Sequence, residues 1–87
     1  MNSEKSLNTL VEYLKQIPEF RDPRGCRHPL WLVLLLIIMG IMSGYYGYRG
    51  IGRFVERHRR ALSQVLEIRG AQVPSYSTIR RVMMGVD

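Results

Sequence analysis

The stretch that decides the fold is the apolar segment RHPLWLVLLLIIMGIMSGYYGYRG, which covers residues 27–50. From Pro29 to Tyr48 it carries no charged side chain, and a helix of that length would cross a bilayer. Only residues 30–42 are densely apolar, and that run would form a helix about 20 Å long, which is more typical of a buried core helix. Basic residues stand on both sides of the segment, so they set no orientation in a membrane. The segment therefore favours the central helix of a small domain, with a single-pass membrane span over about 29–48 as the alternative.

The same segment contains two glycines four positions apart, Gly40 and Gly44. Such a pair lets two helices approach closely, either within a membrane or inside a helical bundle. A helix without charges has to be covered, and amphipathic helices on both sides of this one can cover it. We therefore expect close helix contact inside a bundle and do not expect a membrane as partner.

An amphipathic helix is predicted on the N-terminal side, within residues 1–18. Ser3 is a suitable N-cap, and Pro18 ends the pattern. The loop predicted over 19–29 contains two further prolines and a glycine. The apolar positions that recur at helical spacing are Leu7, Leu10, Val11, Leu14 and Ile17.

Further helices are predicted on the C-terminal side. Three glycines, at positions 44, 47 and 50, predict a break that ends the core segment 30–48. A basic amphipathic helix is predicted over 51–68, with His58 on its apolar stripe, and a last helix over 75–86. The expected architecture is all-α, a small bundle of four to five helices with a helix-turn-helix-like C-terminal pair, although the turn between them is long for that motif.

Composition limits the function classes. The chain has 87 residues, which allow one small domain, and a net charge of +6 with a pI near 10.1. This favours an anionic partner, either nucleic acid or a membrane surface. The single cysteine excludes an internal disulfide and a cysteine-rich metal site, so no metal and no cofactor are expected. The N-terminus alternates charged and apolar residues, unlike a signal peptide, so we expect a cytoplasmic location.

The positive charge is concentrated in residues 49–60, which hold five arginines and one glutamate. Arg49, Arg53, Arg57 and Arg60 follow one another at steps of four, four and three, which predicts a basic face on the helix over 51–68. Arginines in this arrangement bind DNA phosphates, with affinity that falls as salt rises. A solvated protein surface is the alternative interpretation of the same stripe.

The last helix begins with hydroxyl residues and continues with two arginines. Ser75, Ser77 and Thr78 lie near its N-terminus, where free backbone N–H groups and the helix dipole favour a phosphate. Arg80 and Arg81 lie within its first turns and can contact a guanine edge or a phosphate. Ser75 or Ser77 is also expected to cap the helix, which does not exclude contact with DNA.

Four motifs occur in order along the chain: DPRGCRHPL at 22–30, GIMSGYYGY at 40–48, IGRFVERHR at 51–59 and VPSYSTIRRV at 73–82. Together they resemble the N-terminal DDE-transposase-associated domain of H-repeat-associated insertion-sequence transposases. The resemblance covers about residues 7–87. It implies a domain that precedes a ribonuclease-H-type catalytic domain and contacts the ends of the mobile element. It also implies that Arg80, Arg81 and the helix start at 74–78 face double-stranded DNA, and it assigns no role to Asp22-Pro23-Arg24 or His58-Arg59.

The chain differs from the family pattern in length, because a full transposase continues into the domain that carries three metal-binding carboxylates. We therefore expect no catalytic residues and no enzymatic activity. The expected origin is a truncated reading frame, a decayed remnant or a separately encoded DNA-binding half. Further expected partners are a transposase catalytic subunit or a second copy of the chain. As an alternative, the chain is an interaction module whose arginines meet an acidic protein.

Overall fold

The computed structural model describes residues 3–21 and 28–85. Within these ranges the chain forms α-helices, one 3₁₀ turn and no strand, which confirms the all-α prediction. The helices are α1 (Ser3–Lys15), α2 (Leu30–Met42), α3 (Gly47–Arg57), α4 (Arg59–Val65) and α5 (Tyr76–Gly85), and the 3₁₀ turn is Arg69–Ala71. The motif Asp22-Pro23-Arg24 lies outside the described residues.

Helix α2 forms the centre of the fold, and α1, α3 and α5 all pack against it. It begins directly after Pro29, whose fixed φ suits a helix start and whose carbonyl accepts the N–H groups of Leu32 and Val33. Its side chains are buried on nearly every side, and Val33, Leu35 and Leu36 are completely covered. A helix that is apolar all round needs such cover, which explains why α2 lies between the amphipathic helices.

The chain turns sharply after α2. Gly44 has a φ of 93°, in the left-handed region that glycine adopts without strain, and the Ser43 hydroxyl donates to the Met39 carbonyl at 2.8 Å. The axes of α2 and α3 differ by 97°. Among the described helices, none alone is long and apolar enough to cross a membrane, while the bent pair α2 and α3 meets that test by length and composition only.

The two glycines of the predicted close-contact pair have different roles. A Cβ placed on Gly40 would lie 2.7 Å from Cδ1 of Ile51 and 3.2 Å from Cδ2 of Phe54, so α3 crosses α2 at this point. Nothing lies within 4 Å of the corresponding position on Gly44. Gly40 therefore provides the close helix contact, and Gly44 provides the turn.

The structure corrects the prediction of one continuous helix over 51–68. Helix α3 already begins at Gly47 and ends at Arg57, and His58 has non-helical backbone angles before α4 begins at Arg59. His58 is exposed and does not belong to the buried stripe, although its ring centroid lies 5.2 Å from that of Phe54. Beyond the break Leu62 is buried in the same core and Leu66 packs against it, whereas Val65 is 63% exposed, so of the predicted apolar positions in α4 only Val65 lies outside the core.

Helix α5 is held against α3 by its buried residues Ile79 and Val82. The segment before it is fastened to the start of α2, because the His28 ring nitrogen Nε2 lies 2.6 Å from the Gln72 carbonyl oxygen. The His28 carbonyl in turn accepts a hydrogen bond of 2.7 Å from Arg21, which also pairs with Glu19. These bonds give His28 of the HPL motif a structural role.

Candidate nucleic-acid interface

The basic residues of interest lie where α3 packs against α5. Ile51 and Val55 on α3, and Ile79 and Val82 on α5, are fully buried. On an α-helix, positions two residues away from a buried residue point to the other side. The burial of these four side chains therefore directs the arginines of both helices to the surface.

Two grooves run along this surface, one on each side of the Arg49–Tyr76 pair. The first, which we call the arginine–tyrosine groove, has a volume of about 370 Å³ and is lined by Tyr48, Arg49, Tyr76, Ser77, Arg80 and Arg81. The second, the adjoining groove, has a volume of about 330 Å³ and is lined by Arg49, Gly52, Arg53, Glu56 and Tyr76. Because both share Arg49 and Tyr76, they form one continuous surface that carries four arginines.

Tyrosines hold the arginines in this surface. The guanidinium carbon of Arg80 lies 5.7 Å from the ring centroid of Tyr48, a cation–π distance. The Tyr48 and Tyr76 rings pack with their centroids 5.5 Å apart at 58°. Tyr76 in turn lies over Gly52, where an added Cβ would be 3.5 Å from it. Tyr76 therefore packs against the α3 backbone at a position where an added methyl group would just touch it.

The electrostatics of the two tyrosines reflect these neighbours. A hydrogen bond from Arg80 is the main cause that lowers the pKa of Tyr48, opposed by desolvation and assisted by the charges of Arg80 and Arg49. A hydrogen bond to Tyr76 is the main cause that raises the pKa of Arg49, so this guanidinium stays charged. The grooves thus have fixed positive charges at neutral pH.

The structure brings together four of the residues singled out from the sequence: Arg53, Ser77, Arg80 and Arg81 all line one of the two grooves. Ser75 and Thr78 form the start of α5, because the Thr78 N–H donates to Ser75 Oγ at 3.3 Å and the two hydroxyl oxygens are also 3.3 Å apart. This is the geometry of an N-cap.

Arg57 and Arg60 line neither groove. Arg57 is the last residue of α3, and Arg60 lies beyond the break at His58, on α4. The predicted stripe of four arginines on one helix is therefore reduced to Arg49, Arg53 and Arg57.

Tyr48 and Tyr76 are central to the surface but absent from the predicted site residues. Arg49 was predicted as the first arginine of the basic stripe, but it was not counted among the site residues, and the helix was expected to begin after it because the glycines at 47 and 50 indicated a break. Since α3 begins at Gly47, Arg49 lies on the same helix one turn before Arg53. The tyrosine contacts depend on how α5 packs on α3, and periodicity within one helix carries no such information.

The described residues contain no group of three or more His, Cys, Asp or Glu side chains placed to hold a metal ion.

Comparison with known proteins places the surface in a family context. The sequence model of DDE_Tnp_1-associated domains matches residues 11–87. Over 77 residues, or 88% of this chain, the sequence is 34% identical to the H repeat-associated putative transposases YbfD and YhhI of Escherichia coli K12, and it spans 30% and 20% of those proteins. It is 32% identical to the inactive transposase YbfQ of the same organism, of which it spans 90%. No solved structure matches the chain.

Proposed function

The chain belongs to the family of DDE_Tnp_1-associated domains, and on that premise we propose that it binds double-stranded DNA at the ends of an insertion sequence. The relatives named as transposases support a role in DNA transposition. In this role the domain binds DNA, and a separate catalytic domain carries out strand cleavage. The proposal entails no cofactor, and it entails a cytoplasmic location, where a mobile element and its transposase meet.

One observation carries the proposal: four arginines from two helices converge on one surface. Arginines that only solvated the surface would repel one another, so they would be expected to lie apart. Glu56 is the acidic residue of the adjoining groove, and it lies 3.3 Å from Arg59, which reduces its opposing charge. A surface of this kind is complementary to the phosphates of a DNA backbone.

The arginines divide into two proposed roles. Arg53 lies on α3 with other arginines, and Arg57 and Arg60 lie outside the grooves. All three are proposed to contact phosphates, which carry no sequence information. Arg80 and Arg81 lie on the first turns of α5, the position from which a recognition helix reaches base edges. Ser75, Ser77 and Thr78 are proposed to meet the backbone at the start of this helix.

A salt titration tests the DNA contact. If three to five arginines neutralise phosphates, log K for a duplex should fall with log salt with a slope of about −3 to −5. The Arg53→Ala variant should weaken binding and make the slope shallower by about one unit. The matched control is Arg69→Ala, which removes the same charge from the 3₁₀ turn, outside both grooves. An effect of Arg69→Ala equal to that of Arg53→Ala would mean that net charge, and not this surface, governs binding.

A competition experiment distinguishes arginines that contact phosphates from arginines that contact base edges. Arg57→Ala should weaken binding to terminal-repeat and scrambled duplexes alike. Arg80→Ala and Arg81→Ala should cost about 1–3 kcal/mol on the terminal repeat and much less on scrambled DNA. Equal losses on both duplexes for all three variants would contradict base reading, and the domain would then bind DNA without regard to sequence.

A contact with a second protein is the other candidate function, and one exposed apolar corner favours it. Met42 and Tyr46 are each 82% exposed, and they flank the turn between α2 and α3 together with half-exposed Ile41. We propose a transposase catalytic domain as the occupant, since the chain spans only 20% to 30% of the two longer relatives. Met42→Lys should weaken binding to such a domain in a pull-down and leave DNA affinity unchanged. If the wild type sedimented as a dimer and Met42→Lys as a monomer, the corner would instead be assigned to self-association.

A further inference from the structure

The arginine–tyrosine groove is lined only by groups that donate hydrogen bonds or carry positive charge. Three of its residues contribute guanidinium groups, and three contribute hydroxyl groups. Of the described residues that line it, none bears a carboxylate. It has a volume of about 370 Å³, and its walls come from both α3 and α5.

The donors in this groove are fixed by one another. The guanidinium carbon of Arg80 lies 5.7 Å from the Tyr48 ring centroid, and the Tyr48 and Tyr76 rings pack with their centroids 5.5 Å apart. A guanidinium group only donates hydrogen bonds, whereas a phenol oxygen can accept one and keep its own O–H available. The hydroxyls of Tyr48 and Tyr76 therefore add donors to those of the arginines.

The number of converging donors indicates the kind of anion. A carboxylate has two oxygens in one plane, and the fork of a single guanidinium satisfies both. This groove offers three guanidinium groups and three hydroxyl groups, which exceed what a carboxylate can accept. A phosphate group, with non-bridging and ester oxygens directed to several sides, matches such a set.

We propose that the arginine–tyrosine groove is the binding site of one phosphate group of a nucleic-acid strand, held by Arg49 and by the hydroxyls of Tyr48, Tyr76 and Ser77. This inference rests on the proposed DNA-binding function and deepens it by naming the group bound and its place. The Arg80 guanidinium lies over the Tyr48 ring, and Arg80 and Arg81 keep their proposed place at the base edges beside this phosphate. The neighbouring phosphate of the same strand then lies toward Arg53 in the adjoining groove, across the shared Arg49–Tyr76 wall.

The test removes hydroxyls without removing charge. The double variant Tyr48→Phe/Tyr76→Phe keeps both rings and the net charge, and a hydrogen bond to a charged group contributes enough that duplex affinity should fall by about tenfold. Because the number of neutralised phosphates is unchanged, the slope of log K against log salt should stay the same. The control is Tyr13→Phe, which removes a hydroxyl from exposed Tyr13 on α1 and should leave affinity unchanged. Should the double variant unfold, Tyr76→Phe alone is measured, with a loss of at least threefold expected.

Two further arms complete the experiment. Inorganic phosphate should shift the Nε–H resonance of Arg49 in the NMR spectrum of the wild type, and the shift should be weaker in the double variant. Duplexes with 5′-phosphate and 5′-hydroxyl ends identify the source: equal affinity assigns an internal phosphate, and a preference that the double variant loses assigns a terminal one.

The failures of the two proposals can be told apart. Unchanged duplex affinity in a folded double variant would overturn the phosphate site, while DNA binding by the wild type would still support the proposed function. If the wild type bound no duplex even at low salt, the proposed function would fail. Inorganic phosphate would then decide the phosphate site, and equal shifts in the wild type and the double variant would overturn it.

Discussion

The crossing of α2 and α3 at Gly40 should be sensitive to one added methyl group. A Cβ on residue 40 would lie 2.7 Å from Cδ1 of Ile51, whereas carbon atoms in favourable contact lie about 3.5–4.0 Å apart. Ile51 is completely buried, so its methyl group has no open space to move into. Overpacking of this kind costs about 1–3 kcal/mol, against a gain of about 1 kcal/mol when alanine replaces glycine in a helix.

Gly52 provides the matched control, because it also lies inside a helix but has room for a methyl group. Its added Cβ would lie 3.5 Å from Tyr76, an ordinary contact. Gly52→Ala should therefore keep the helix gain and raise the free energy of unfolding by about 1 kcal/mol. Gly40→Ala should be about 1–3 kcal/mol less stable than Gly52→Ala, since the two variants differ mainly in overpacking.

Urea unfolding followed by the fluorescence of Trp31, the single tryptophan, measures these differences. A second substitution identifies the atom responsible, because Ile51→Val removes the Cδ1 that the new methyl group would meet. Ile51→Val alone should cost about 0.5–1.5 kcal/mol, and in combination with Gly40→Ala it should recover about 1 kcal/mol or more of the loss. If Gly40→Ala were as stable as Gly52→Ala, or if the double variant showed no recovery, the close crossing at Gly40 would be refuted.

Three other predictions concern single polar groups. The Ser63 hydroxyl is buried without a hydrogen-bond partner among the described residues, so Ser63→Ala should leave the free energy of unfolding unchanged or raise it by about 1 kcal/mol in urea unfolding. Ser75→Ala should lower it by about 1 kcal/mol by removing the cap of α5, whereas Ser77→Ala should change it by less than about 0.5 kcal/mol. Because the pKa of Tyr48 is lowered mainly by Arg80, the folded protein should release this proton at lower pH than the unfolded chain does, so the stabilisation is absent at neutral pH and grows as pH rises toward about 10. NMR of ring-labelled tyrosine should show that Tyr48 titrates at higher pH in Arg80→Ala than in the wild type. An unchanged titration of Tyr48 would contradict the hydrogen bond from Arg80.

The sequence predicted those parts of the fold that depend on one segment at a time. The apolar run at 30–42 is long enough for one buried helix, and it corresponds in its bounds to α2. The burial of Ile51, Phe54 and Val55 follows from their spacing on α3. The break at His58 was missed, because Phe54, His58 and Leu62 stand at helical spacing and nothing in that periodicity indicates that the backbone leaves the helix there.

The glycines between α2 and α3 show why the start of α3 was predicted too late. Gly44 and Gly47 both have positive φ values and belong to the break, although α3 is counted from Gly47, whereas Gly50 lies inside the helix. Composition treats all glycines in such a cluster as breaks. Which of them actually interrupts the helix depends on how α3 packs across Gly40, and that contact is set by the tertiary structure.

The candidate interface likewise has one part that could be predicted from a single helix and one part that depends on how two helices pack. Arg53 was predicted correctly to share a helix face with Arg49, because one helix determines the positions of both. The grooves exist only because α5 packs on α3 through Ile79 and Val82, which brings Tyr76 over Gly52. The buried face of α3 thus positions α5, and its opposite face carries the arginines. A change such as Gly40→Ala, which shifts α3 against α2, is therefore expected to move the grooves as one unit, whereas a side chain larger than alanine at Gly52 would push Tyr76 away and alter the distance between their two walls.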